Sequence, residues 1–93
     1  MATYKIEISE SLLADIKIEI GGALLNYGHF NSTHEAYAVL QEEVNEFWAL
    51  VQSKTSDINR EGKRGRMIKE LTQVAAISMR IIMELKGYEI RHI

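Results

Sequence analysis

Residues 32–54 read STHEAYAVLQEEVNEFWALVQSK, and the spacing of apolar side chains in this stretch decides the fold class. At ~100° per residue, Ala36, Leu40, Val44, Phe47 and Val51 fall on one stripe, and Val39 and Leu50 extend one flank of it. This is the period of a helix with one covered face. The Ser32-Thr33-His34-Glu35 segment ahead of it is a capping box, in which the hydroxyl accepts from the backbone while Glu35 reaches back. Two acids interrupt the apolar pattern. Glu43 falls on the flank between Ala36 and Leu50, and Glu46 projects from the border of the stripe about one turn further on.

The pattern returns in residues 66–88. Glu70 lies on the meridian of Val74, Ile77, Ile81 and Tyr88, with Gln73 on the near flank. An ionised carboxylate alone among apolar neighbours is costly and tends to protonate, and several of them converging repel one another as well. Hard cations with oxygen ligands resolve both problems, and Mg2+ or Mn2+ held by a few carboxylates with open water positions is a usual way to bind a polyphosphate. The competing reading of Glu43 and Glu46 is a solvated helix flank. For Glu70 it is a wet first-turn carboxylate favoured by the helix dipole.

The rest of the chain fits long helices. Proline is absent, which removes the strongest helix breaker. A first helix is predicted from Ser9 or Ser11 as N-cap through Leu12, Leu13, Ile16, Ile20, Leu24 and Leu25, stopping at Gly28. The Gly21-Gly22 pair inside it calls for either a kink or a close helix approach. Thr3 to Ile8 reads as an extended lead-in, and Lys54 to Gly65 as a loop or a frayed helix end. A third helix is expected from about Arg66 to Lys86, ended by Gly87. Its apolar arc is widened by Ile68, Leu71, Ala75, Met79 and Ile82, more than two other helices can cover. The expected fold is therefore all-α: a three-helix antiparallel bundle-like protomer, one domain over residues 1–93, that completes its helical-bundle core by oligomerisation.

Composition narrows the function classes. With 93 residues there is room for one domain, and a net charge of −2 argues against a general nucleic-acid binder. No cysteine is present, so disulfides and thiolate metal sites are excluded, and a cytoplasmic setting is expected. No segment reaches the ~20 apolar residues of a membrane span. The chain has no glycine-rich phosphate loop and lacks the two Glu-x-x-His motifs that a di-iron bundle needs, carrying that spacing once, at Glu89 and His92. The basic run Arg60, Lys63, Arg64, Arg66 and Lys69 precedes or opens helix three, where it either neutralises a triphosphate tail or serves as solubilising charge. Arg80, two turns on from Gln73 on the same flank, either joins that basic set or pairs with Glu84 at i+4. His34 belongs to the start of helix two, and Trp48 and Tyr37, on the far shoulder of its stripe, read as core or interface packing residues, with base stacking in a nucleotide pocket as the lesser alternative.

Taken together, Glu42-Glu43-Val44-Asn45-Glu46 followed by Glu70 resembles the signature of the MazG-like all-α nucleoside triphosphate pyrophosphohydrolases, a Glu-Glu-x-x-Glu motif followed on the next helix by Glu-x-x-Asp. The flanking His34 to Leu40 and Gln73 to Ala76 look like small phage and bacterial members, and the resemblance spans roughly Asn31 to Ile82. It implies a homodimer or homotetramer that hydrolyses nucleoside triphosphates, often deoxy or non-standard ones, to the monophosphate and pyrophosphate with Mg2+. Glu43, Glu46 and Glu70 match the metal-binding, catalytic acids, and Gln73 takes the place of the family's aspartate. A neutral amide offers an oxygen but no charge, so the resemblance leaves two outcomes: a site with more weakly held ions, or a scaffold that binds nucleotide or assembles without hydrolysis. Lys63, Arg64, Arg66 and Lys69 are the candidate phosphate contacts, and Mn2+ is a possible substitute for Mg2+.

Overall fold

Local signals set the helix ends. In the computed structural model, which describes residues 2–54 and 60–87, helix α1 (Glu10–Tyr27) starts where the Ser9 hydroxyl accepts from the Leu12 N–H at 3.3 Å. It stops at Gly28, whose φ of 71° suits a residue without a Cβ and whose N–H donates to the Leu24 carbonyl at 2.9 Å. Helix α2 (Thr33–Gln52) starts at Ser32, whose hydroxyl accepts from the Glu35 N–H at 3.1 Å. The Glu35 carboxylate reaches one residue further back than a capping box requires. It accepts from the Asn31 side chain at 2.8 Å and the Asn31 N–H at 3.4 Å, because Asn31 presents two donors to its two oxygens.

Helix α3 (Arg60–Lys86) begins well before the expected Arg66 and takes Gly62 and Gly65 into its first turns. Each glycine lowers helix propensity by about 1 kcal/mol. What offsets it is tertiary: the Lys63 ammonium donates to the Ser53 carbonyl at 2.7 Å, tying the start of α3 to the end of α2. Gly87, at φ 72°, follows the last turn as expected. Tyr88 and His92 lie outside the described residues. Residues 2–9 form no strand, and no close approach explains Gly21 and Gly22, since a Cβ at either would meet nothing within 4 Å.

The three helices make an open arrangement rather than a closed bundle. Helix α3 packs against both α1 and α2, but α1 and α2 do not pack against each other. Helices α2 and α3 are antiparallel, since Ser53 meets Lys63 at one end while Glu43 meets Gln73 further along. The radius of gyration, 15.7 Å, exceeds the ~12 Å of a compact globule of this length. Only Ile16, Ala36 and Ala76 are buried apolar residues among those described.

Which face is covered differs slightly from the sequence reading. On α2 the covered seam runs through Ala36, Leu40, Glu43, Phe47 and Leu50, in alternating steps of four and three, with Val39 and Gln41 partly covered beside it, whereas Val44 and Val51 are exposed. The seam is rotated toward the Val39–Leu50 flank, and that rotation moves Glu43 to its middle. On α3 the same rhythm runs through Met67, Glu70, Val74, Ile77 and Ile81. A separate stripe of α3, Ile68, Leu71, Met79 and Ile82, remains exposed.

Candidate functional site

The seam places three acids together. Glu43 and Glu46 from α2 and Glu70 from α3 each offer a carboxylate oxygen within 4.8 Å of the others. Antiparallel packing produces this, because residues one turn apart on α2 then face one turn of α3. Glu43 and Glu70 are half-buried, and Glu46 is exposed.

Three like charges so close perturb one another. Burial first, then the hydrogen bond shared with Glu70 and the charge of Glu46, push the Glu43 carboxyl from 4.5 up to about 7. Glu46 is also raised, chiefly by the hydrogen bond it shares with Glu70, then by desolvation and the charge of Glu70. A cluster that holds protons this tightly is one in which added positive charge is favoured.

Gln73 completes the group. With its amide oriented by its hydrogen bonds, Nε2 donates to Glu43 at 2.7 Å and to Glu70 at 3.2 Å. Rotating the amide by half a turn presents the oxygen instead, so the same side chain serves the cluster with or without a cation. The donor set is all oxygen, the choice of hard divalent ions. Three oxygens no more than 4.8 Å apart lie within about 2.8 Å of a common centre, a small rotamer change from the ~2.1 Å of Mg2+ ligation. The residues thus fit the ion that the sequence resemblance implies.

Glu42 is exposed and faces away from the cluster's seam, although it borders the cavity described below. The basic residues are not a loop. Lys63, Arg64, Arg66 and Lys69 all lie on α3, where Arg66 and Lys63 precede Glu70 by one and two turns on its face and Arg64 and Lys69 point elsewhere. Lys63 is engaged by the Ser53 carbonyl, and Arg64, Arg66 and Lys69 are exposed. Trp48 and Tyr37, expected in a core or an interface, are not in the core: both are exposed, Trp48 by 56%.

Arg80 is where sequence reasoning missed most. Its expected partner, Glu84, instead pairs with His29 at 2.7 Å. Arg80 is 3% exposed, donates through Nη2 to the Gly28 carbonyl and stacks on the Phe30 ring at 3.9 Å. It therefore ties the α1–α2 connection to α3. The available signal was a lone arginine within the otherwise uncharged run from Leu71 to Met83.

A cavity of about 770 Å³ separates α1 from α2 over the face of α3. Glu43 and Gln73 border it on one side and Arg80 on another, with Gly22, Asn26 and Val39 among the intervening residues. The space exists because α1 and α2 do not pack together. No helix among the described residues is long and apolar enough to cross a membrane. No family model, curated protein or solved structure matches the chain.

Proposed function

We propose that the protein is a Mg2+-dependent nucleoside triphosphate pyrophosphohydrolase of MazG-like type, cleaving (d)NTP to (d)NMP and pyrophosphate. The observation that carries this reading is the convergence of Glu43, Glu46 and Glu70, within 4.8 Å, on the seam between two helices. Stability alone disfavours such a placement, since apolar residues at a seam stabilise more than crowded acids do.

Glu43, Glu46 and Glu70 would hold the cation, and Gln73 would add a neutral oxygen. When bound, Mg2+ or Mn2+ supplies the positive charge that draws in the phosphates and polarises the scissile linkage. A carboxylate of the cluster orients the attacking water toward a phosphorus of the α–β linkage and accepts its proton. Arg66, on the face of Glu70, is the best placed of the basic residues to meet the phosphate chain.

A second copy of the chain completes this unit. The exposed stripe Ile68, Leu71, Met79 and Ile82 on α3, together with Val44, Trp48 and Val51 on α2, is more apolar surface than the small core of one protomer balances. A homodimer or homotetramer covers it. The cytoplasm, where triphosphates are abundant, is the corresponding compartment.

Gln73 favours a second reading, a helical module that binds nucleotide or assembles without cleaving, because its amide already offsets two carboxylates. The deciding experiment measures pyrophosphate release over a panel of standard and modified deoxynucleoside triphosphates with Mg2+ or Mn2+, alongside thermal stabilisation by the same ligands. Release that disappears in Glu70→Gln with helicity intact supports the hydrolase. Full activity in that variant refutes the site. Stabilisation without release supports the binder.

A further inference from the structure

We infer that residues 3–8, TYKIEI, pair with the same segment of a second copy of the chain as an antiparallel ribbon, with Ile6 opposite Ile6. The side chains are already sorted for a sheet. Lys5 and Glu7 join at 3.1 Å on one side of the backbone, while the alternate residues Tyr4, Ile6 and Ile8 are 80%, 77% and 61% exposed. In an extended chain residues two apart share a face, so this spacing makes one face charged and the other apolar. No backbone–backbone hydrogen bond among the described residues involves residues 3–8. A chain in that condition is a template for a strand from elsewhere.

Charge complementarity selects both the partner and the register. In an antiparallel pair, side chains directly opposite point to the same face, so a two-fold symmetric pairing sets one residue against its own copy. Centred on Ile6, the pairing puts Lys5 opposite Glu7, Tyr4 opposite Ile8 and Thr3 opposite Ser9, each on both sides of the axis. Opposite charges, an aromatic against a β-branched residue and hydroxyl against hydroxyl are all favourable cross-strand pairs. Centred on Lys5 or on Glu7, like charges meet at the axis; centred on Tyr4 or on Ile8, neither charge meets its opposite. The segment is its own complement in one register, which commits the partner to a second copy.

Pairing alone leaves a two-stranded ribbon, which is marginal in water until its apolar face is covered. Helix α1 offers a cover. It follows directly on Ser9, and its Ile18 and Leu25, two turns apart on one stripe, are exposed. These residues differ from the α3 stripe assigned above to an assembly, so the two contacts can fail separately. The ribbon does not rest on the hydrolase reading.

The test exploits a chain without cysteine. Ile6→Cys, Lys5→Cys and Glu7→Cys are made singly in the full chain, and cross-linking by oxidised glutathione is followed on non-reducing gels, with helix content checked by circular dichroism. In the inferred register, residue 6 lies about 4.5–5.5 Å from its own copy between Cα atoms, within reach of a disulfide. Residues 5 and 7 meet their own copies only on a diagonal of about 7–8 Å, beyond that reach. Ile6→Cys is therefore expected to cross-link about tenfold faster than either of the others alone, and a mixture of Lys5→Cys with Glu7→Cys to cross-link between unlike chains. In the Ile6→Cys background, Lys5→Glu sets acids opposite each other and should slow cross-linking by about tenfold; adding Glu7→Lys should restore it. Equal rates in the three single-cysteine chains, no cross-linking of Ile6→Cys, or a Lys5→Glu effect that Glu7→Lys does not reverse overturns the inference.

Discussion

Replacing Glu43 by glutamine should make the protein more stable and less able to bind a divalent cation, and the stability gain should depend on pH. Glu43 is held at about 7 against 4.5 for the free group, so the fold binds this proton more tightly than the unfolded chain does. The stability associated with that proton is fully present below pH 4.5 and is lost as pH rises through about 7. At about 1.4 kcal/mol per pKa unit the shift corresponds to at most about 3 kcal/mol, and water at this half-buried position reduces it to roughly 1–2 kcal/mol. Glutamine is a neutral mimic of the protonated acid and retains a donor for Glu70.

Thermal melts of wild type and Glu43→Gln at pH 5 and pH 8, in chelator, isolate the contribution of the acid cluster, because titrating groups outside it act equally on both proteins. For a domain of this size 1 kcal/mol moves Tm by about 4–8 °C, so the variant should melt roughly 5–10 °C above wild type at pH 8 and close to it at pH 5. Adding Mg2+ or Mn2+ should narrow or reverse the gap at pH 8, since wild type gains the ion and the variant has lost a ligand. A variant less stable than wild type at pH 8, or a gap of equal size at both pH values, would refute the account of the cluster as mutually repelling acids.

Three further substitutions probe other parts of the molecule. Gln73→Asp adds a fourth carboxylate and removes the amide that donates to Glu43 and Glu70; calorimetry should show cation binding tighter by about tenfold, with a lower Tm in chelator, and unchanged affinity would remove Gln73 from the site. Ser32→Ala deletes the acceptor for the Glu35 N–H and should destabilise by about 1 kcal/mol, read as a lower denaturation midpoint with an unchanged slope. Gly21→Ala meets no neighbour within 4 Å and should stabilise by about 1 kcal/mol through helix propensity alone; a loss of stability would mean that the glycine is required by a surface formed only in an assembly.

Much of the fold was legible because it is written in local chemistry. Ser9, Gly28, Ser32 and Gly87 mark helix ends that the structure reproduces, and the period of apolar residues placed Glu43 and Glu70 on covered faces. The start of α3 was not legible, because a contact distant in sequence, Lys63 to Ser53, holds helical a stretch whose two glycines argue for a loop. The rotation of the α2 seam was likewise invisible, since Val44 and Val51 are as apolar as Val39 and Leu50 and only packing chooses between the flanks. Arg80 was misread for a related reason. An i+4 rule sees Glu84 but cannot see that the α1–α2 connection brings Gly28, His29 and Phe30 against α3, where His29 takes Glu84 and Phe30 takes Arg80.

A single rod organises the proposed site. Helix α3 contacts both other helices and carries Glu70 and Gln73 on the turns facing α2 and Arg80 two turns later, so their spacing is fixed by helix geometry rather than by loops. The flanking helices supply what the rod lacks: α2 brings Glu43 and Glu46 across the seam, and α1, held off from α2, leaves the cavity open. Filling that gap with side chains would enlarge a core that has three buried apolar residues among those described, and leucine at position 43 would relieve the crowding of acids. Both changes favour stability and both would erase the proposed site. The arrangement that remains, acids in a seam beside an unfilled cavity, sacrifices stability in the way the proposed cation binding would require.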